Sequence, residues 1–372
     1  MRNLAQQSET SSFWQLIGWM GALAGFMILS FYAVIAGWAM SYIVEMASGN
    51  FVGTDANRAS QVFSEFTADA VSVVGWHTLF MALTIYIAAR GVGRGLETTV
   101  RYLMPALFVL LLMLVFYSAL ATGHFKEGLM FLFSPDLDAF STDSLLVAMG
   151  QAFFTLSLGM GAIMAYGAYV PKDTSIIGTA TTIALLDTSV ALLSGMVIFP
   201  LVFANGLQPS EGPGLMFITL PIAFGQMPGG QIFGALFFVL VSFAAITSSI
   251  SLMEPAVAWV VEKLAITRAK GAMLVGIIAW FVGLGSAFSF NIGADFTLLS
   301  GMTFFDTMDY LSNNILLPLG GMLIAIFAGW FLKDQIVEDE LAGDKAWSNL
   351  WRVITRFVAP TGVMVVFVMT FL

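Results

Sequence analysis

Phe153-Phe154-Thr155-Leu156-Ser157-Leu158-Gly159-Met160-Gly161 is the stretch that decides how this chain folds. It lies inside an apolar run, residues 145–170, long enough to cross a bilayer. Its middle is poorly suited to a membrane helix. Two hydroxyl residues and two glycines, Thr155, Ser157, Gly159 and Gly161, alternate across it, and each glycine costs about 1 kcal/mol against alanine in a helix. An opened helix frees carbonyls that lipid cannot satisfy. Such a break survives only where it faces protein or a wet cavity, and there its carbonyls and hydroxyls can bind an ion. The other reading is an unbroken helix whose glycines form a packing seam, which is common in membranes.

The surrounding composition fixes the class. The chain is 59% hydrophobic and 10% charged, with 34 Phe and 22 Met in 372 residues, a balance foreign to soluble domains. It reads as an all-α polytopic membrane protein. Cysteine is absent, which excludes disulfides and thiol chemistry. His77 and His124 are the only histidines, so a zinc site is not expected. No G-x-x-x-x-G-K-[ST] loop occurs, which argues against an ATP-driven pump. No nucleic-acid partner or enzymatic activity is indicated. Residues 1–12 are polar and carry both Arg2 and Glu9, unlike a cleavable signal sequence.

Nine apolar spans follow from hydropathy: 13–46, 75–89, 103–122, 145–170, 176–204, 232–264, 272–290, 310–332 and 354–372. The first and sixth exceed the ~20 residues a bilayer requires, so tilt is expected. Assigning alternate loops to two sides leaves only Arg58 and Lys126 on one, and the other 12 of the 14 Lys and Arg on the opposite side. Basic loops stay in the cytoplasm. The expectation is therefore an inner-membrane protein with a cytoplasmic amino terminus and, after nine crossings, an external carboxyl terminus. Within the external loop 203–230, residues 214–224 are too apolar for a solvated loop and too short to span. A re-entrant or capping hairpin is expected there, with a surface helix as the alternative.

Ionisable groups inside spans are costly and default to functional candidates. Asp187 sits mid-span in Ala184-Leu185-Leu186-Asp187-Thr188-Ser189 with no basic residue on the same helix. It needs a cation, a donor network or a proton; a protonated, packing aspartate is the structural alternative. Glu254 lies nearer the inner end of its span, where a helix-to-helix hydrogen bond competes with a transport role. Asp309 is at the outer edge of its span, where a solvated carboxylate is the plain reading. Ala244-Ala245-Ile246-Thr247-Ser248-Ser249 is a small, hydroxyl-rich stretch. It suits close helix packing and equally offers the hard oxygen ligands that an alkali cation prefers. Tyr32 places a phenol deep in the first span, where it needs a partner for its hydroxyl.

Taken together, these stretches resemble the neurotransmitter:sodium symporter family, which has the leucine-transporter fold, and specifically its bacterial branch. The resemblance runs from Trp14 to Leu372. Phe153 to Gly161 resembles the family's broken sixth helix. Tyr32, in Ser-Phe-Tyr-Ala-Val-Ile-Ala-Gly-Trp38, resembles the third-helix tyrosine that binds the substrate carboxylate. Ala244, Thr247 and Ser248 match the eighth-helix ligands of the second sodium site. Gly91 to Pro105 is similar to an internal loop ending in Met-Pro, and Gly212 to Phe224 to the external loop that caps the vestibule.

The resemblance implies sodium-dependent symport of a neutral, hydrophobic amino acid by alternating access. Sodium would be held by Thr155, Asp187, Ala244, Thr247 and Ser248. Substrate would be held by Ile28, Tyr32, Phe154, Thr155, Ser157, Met160 and Leu252, with Tyr32, Phe154 and Asp309 as gates. No cofactor beyond the coupling sodium ions is implied. Many family members have asparagine at the position of Asp187, and the chloride-dependent ones recruit the anion nearby. A carboxylate there, with Ala191 one turn on, implies that chloride is not required. The family's first two helices have no counterpart in this sequence, so the resemblance implies an amino-terminally truncated inverted repeat. Three helices of the first repeat would span residues 14–122, the five-helix second repeat 145–332, and an extra helix 354–372, in one transmembrane domain. The alternative reading is a non-transporting truncated fragment or membrane scaffold protein.

Overall fold

The computed structural model describes all residues except 92–96, 136, 138, 139, 168, 169, 172, 173, 208–211, 300, 342–344 and 370–372. Arg94 and Lys172, two of the basic residues used for orientation, and the last three residues of the ninth span lie outside the described residues.

The described chain is helical almost throughout. A short α1 (Arg2–Gln7) leads into α2 (Gln15–Ala47), followed by α3 (Ala56–Ala68), α4 (Ala70–Ala89), α5 (Thr98–Ala121) and α6 (Phe125–Phe133). Then come α7 (Thr142–Thr155), α8 (Ala162–Gly167) and α9 (Ile176–Ala204). The chain continues through α10 (Gly212–Gly225), α11 (Gly230–Leu264), α12 (Arg268–Phe288) and α13 (Phe304–Phe331). It closes with α14 (Asp334–Glu340) and a helical stretch α15 over 345–369. Local chemistry sets several of these starts. Asp55, Asp69, Ser141 and Ser175 each accept a backbone N–H of the first turn that follows them, satisfying donors that a helix N-terminus leaves bare. Thr303 and Asp306 form a reciprocal capping box before α13.

Among the described residues, seven helices are long and apolar enough to cross a membrane: Ser12–Ala47, Ala70–Ala89, Thr98–Ala121, Ile176–Ala204, Gly230–Leu264, Arg268–Phe288 and Phe304–Phe331. They correspond to seven of the nine expected spans. The fourth span is divided into α7 and α8. The ninth is α15, assembled from Lys345–Val353, Ile354–Val358 and Ala359–Met369. The molecule is a multi-pass membrane protein.

Two long helices organise the packing. α2 and α11 have 33 and 35 residues, roughly 50 Å at 1.5 Å per residue, so both must tilt in a ~30 Å hydrocarbon core. They cross at close range because Gly25 of α2 faces the Leu252 carbonyl of α11; a Cβ at Gly25 would stand 2.9 Å from that oxygen. α4 and α12 pack on the other side of α2. There Gly37 lies against the backbone of Trp76 and His77, and the His77 Nε2 pairs with the Trp280 carbonyl at 3.2 Å. α5, by contrast, presents Val109, Phe116 and Leu120 outward, as a lipid-facing helix does.

The apolar loop segment is α10, with Phe217 and the run Leu220 to Gly225 buried. Gly229, at φ +69°, turns the chain into α11; the segment is a buried helix, not one lying on the surface. Its Phe217 ring stacks on Phe63 of α3 with centroids 5.6 Å apart and meets Trp38 of α2 edge-on.

Candidate functional site: a cavity at the helix break

α7 ends at Thr155 and α8 begins at Ala162. Between them Ser157, Gly159 and Gly161 have φ of +56°, +84° and +77°, left-handed values that no helix continues through. The last turn closes with Leu156, Ser157 and Leu158 donating to Ala152, Phe154 and Phe153. No backbone N–H among the described residues reaches the carbonyls of Thr155, Leu156, Ser157 or Leu158. The break is real, and the packing-seam alternative is excluded.

Glycines on neighbouring helices make room for the break. Gly21 of α2 lies so close that a Cβ there would stand 2.9 Å from Cα and N of Gly161. On the opposite side a Cβ at Gly320 of α13 would meet the Gly159 carbonyl at 2.9 Å, and one at Gly159 would collide with the Leu317 carbonyl. The unwound strand is thus clamped between α2 and α13 by backbone-to-backbone contact.

Beside the break is a cavity of about 540 Å³. α2 contributes Ile28 and Tyr32, and α7 contributes Gln151, Phe154 and Thr155. The unwound segment adds Ser157 and Met160. α9 contributes Asp187, and α11 contributes Thr247, Ser248, Ser251 and Leu252. Val100 and Met104 of α5 and Tyr166 of α8 complete the wall. Ten of the residues named from sequence therefore line one space. Ala244 does not line it; it sits one turn from Ser248, and its carbonyl accepts the Thr247 hydroxyl at 2.8 Å. Asp309 lies elsewhere on α13 with its carboxylate bonded to Asn313 at 2.6 Å.

Five lining residues were not named from sequence. Gln151 had a legible signal, being the one amide on the α7 face four residues before Thr155. Ser251 continues the Thr247 stripe by four residues. Tyr166 is a phenol inside an apolar run. Val100 and Met104 carry no chemical signal at all.

The chemistry of the lining is one-sided. Among the described residues Asp187 is its only charged side chain, and with it in the lining are Thr155, Ser157, Thr247, Ser248, Ser251 and two phenols. Among the described residues no Lys, Arg or His lines it. Among the described residues the Asp187 carboxylate, half-buried, has no hydrogen-bond or ion-pair partner. The hydroxyls form a chain: Tyr166 donates to Ser251 Oγ at 2.7 Å, and Ser251 donates to the Thr247 carbonyl at 3.0 Å. Tyr32 pairs with the Ser248 side chain. Oxygen donors around one uncompensated carboxylate suit a hard monovalent cation. Among the described residues no cluster of three or more His, Cys, Asp or Glu occurs.

Glu254 lies outside the cavity. Its side chain is 1% exposed and gripped by both terminal nitrogens of Arg268, one at 2.9 Å, while Arg268 Nε donates to the Ala88 carbonyl at 3.1 Å. It joins α11, α12 and α4, the structural role weighed for it above.

The pattern of the sodium:neurotransmitter symporter family matches residues 61–372. An uncharacterized sodium-dependent transporter of Bacillus subtilis is 38% identical over 360 residues, covering 96% of this chain and 79% of that protein. A second from Haemophilus influenzae is 33% identical over 365 residues, covering 96% and 79%. The crystal structure of MhsT in complex with L-phenylalanine superposes with a TM-score of 0.85 at 43% identity, covering 95% of this chain and 81% of that one.

Proposed function

The chain belongs to the sodium:neurotransmitter symporter family, and from that premise we propose that the cavity beside the break binds sodium together with a neutral, hydrophobic amino acid. Sodium-coupled symport is the activity of the family; which residues carry it here is our assignment. The carrying observation is the lining itself: a single carboxylate, a ring of hydroxyls and the freed carbonyls of an unwound helix, with apolar walls behind them.

Thr155 and Asp187 hold the first sodium with the substrate carboxylate. Ala244, Thr247 and Ser248 hold the second, Ala244 through its carbonyl. Carbonyls of Phe154 and Thr155 and the Ser157 hydroxyl meet the substrate amine. Tyr32 and Phe154 close over it, and Asp309 acts further out as a gate. Ile28, Met160 and Leu252 form the side-chain pocket; none can match a charged substrate, and methionine adapts its shape. MhsT holding L-phenylalanine supports an apolar side chain. Asp187 supplies the fixed negative charge beside sodium, so chloride is not needed. The protein sits in the cell's inner membrane with its amino terminus in the cytoplasm and its carboxyl terminus outside. Each positive charge carried inward gains ~2.3 kcal/mol per 100 mV. We assign residues 14–122, 145–332 and 354–372 as three helices of one repeat, the five-helix second repeat and an extra helix.

The test is sodium-driven uptake of labelled hydrophobic amino acids into proteoliposomes holding this chain. Uptake that requires sodium and vanishes on Asp187→Ala is expected. Uptake indifferent to that substitution, or to sodium, overturns the assignment.

A further inference from the structure

We propose that the cleft between α4 and α5 binds one anionic glycerophospholipid. Both helices pack on α11, and between them lies a cavity of about 360 Å³ that is separate from the transport site. Its polar end is made by Arg90, the residue that ends α4, and by Thr98 and Thr99, which open α5. Its apolar end is made by Leu103 of α5 and by Phe243 and Ile246 of α11. Tyr86 and Tyr102 stand at the rim, mostly exposed, as tyrosines do at the level of lipid headgroups.

Charge selects the occupant. Arg58, Arg101, Arg268 and Arg352 each hold a carboxylate. Arg90 holds none among the described residues, and the neighbouring segment 92–96 contains no acidic residue in its sequence. Its guanidinium is instead set over the Tyr86 ring, 4.3 Å from the centroid, and donates to the Tyr86 hydroxyl. A guanidinium set on an aromatic plate, with Thr98 and Thr99 in the same lining, matches a phosphate. An apolar trough that runs from that point along α5 and over α11 matches one acyl chain. The two ends together describe an amphiphile with an anionic head, and the bilayer supplies it at the depth where α4 ends.

The experiment is a titration of the purified full chain in detergent with phosphatidylglycerol or phosphatidylcholine, read by native mass spectrometry. Phosphatidylglycerol is expected to bind about fivefold tighter, the effect of one basic residue at a membrane surface. Arg90→Gln removes the preference and Arg90→Lys keeps most of it. Arg101→Gln, whose guanidinium Glu97 already holds at 2.9 Å, changes nothing. Leu103→Trp, which fills the trough, weakens both lipids. Excess glycerol phosphate does not displace the lipid. Equal binding of the two lipids, or a preference that survives Arg90→Gln, would mean ordinary annular lipid and overturn the proposal. Displacement by glycerol phosphate would show a headgroup-only site and overturn it too.

Discussion

Gly21 of α2 and Gly161 at the end of the break touch backbone to backbone: a Cβ at Gly21 would stand 2.9 Å from Gly161, and one at Gly161 would stand 3.1 Å from the Gly21 carbonyl carbon. Neither side can yield, since both contacts are main chain. This pair, with Gly159 against Leu317 on α13, fixes the unwound segment beside the cavity that Ser157 and Met160 line.

Gly21→Ala is expected to cost about 1–3 kcal/mol through overpacking. Gly161→Ala should cost more, because φ of +77° adds about 1–2 kcal/mol for an L side chain. Thermal unfolding in detergent measures both. Gly75, where an added Cβ meets nothing within 4 Å, is the control; if Gly75→Ala destabilises as much as Gly21→Ala, the clamp explanation fails.

The Glu254–Arg268 pair should respond asymmetrically. Arg268→Ala strands a carboxylate that is 1% exposed, and an uncompensated buried charge costs about 3–5 kcal/mol. Glu254→Ala leaves a guanidinium that is 24% exposed and still bonded to Ala88, so about half that loss is expected. The double variant should be more stable than Arg268→Ala alone. Equal losses for the two single variants would show that burial does not control the pair.

Asp187 should govern the ion requirement. Replacing chloride by gluconate leaves sodium-driven uptake unchanged in the unsubstituted protein. Asp187→Asn raises the sodium concentration for half-maximal uptake about tenfold or more, since a full charge near the ion is lost at a site of reduced dielectric. Uptake that needs chloride before any substitution would refute the charge-replacement account.

Beyond the end of α13, Lys333 donates to Glu9 at 2.6 Å. That hydrogen bond, and then the lysine's charge, hold the Glu9 carboxyl below the usual carboxylate range. The folded value is the lower one, so the contact is complete above the ordinary carboxylate pKa and is lost as pH falls through the lowered value. Both groups are exposed, so the effect is local. Hydrogen exchange should show residues 8–10 losing protection as the pH falls below the ordinary glutamate range, and Glu9→Gln should abolish that pH dependence while leaving global unfolding unchanged.

Much of this molecule follows from local signals. Runs of apolar residues mark the spans because each helix satisfies its own backbone, and lipid demands that. Hydroxyls and glycines in 153–161 marked the break, and the lack of cysteine with only two scattered histidines pointed to oxygen ligands. Tertiary structure alone decided the rest. It turned a break that composition left open into an observed one, because the room for it comes from Gly21 and Gly320, which are distant in sequence. It gave Glu254 its partner across a turn between helices, moved Ala244 behind the cavity wall, and brought Val100 and Met104 into it. Periodicity states which face of a helix is apolar. Which neighbour that face meets depends on tilt and rotation, and those are set by packing between helices.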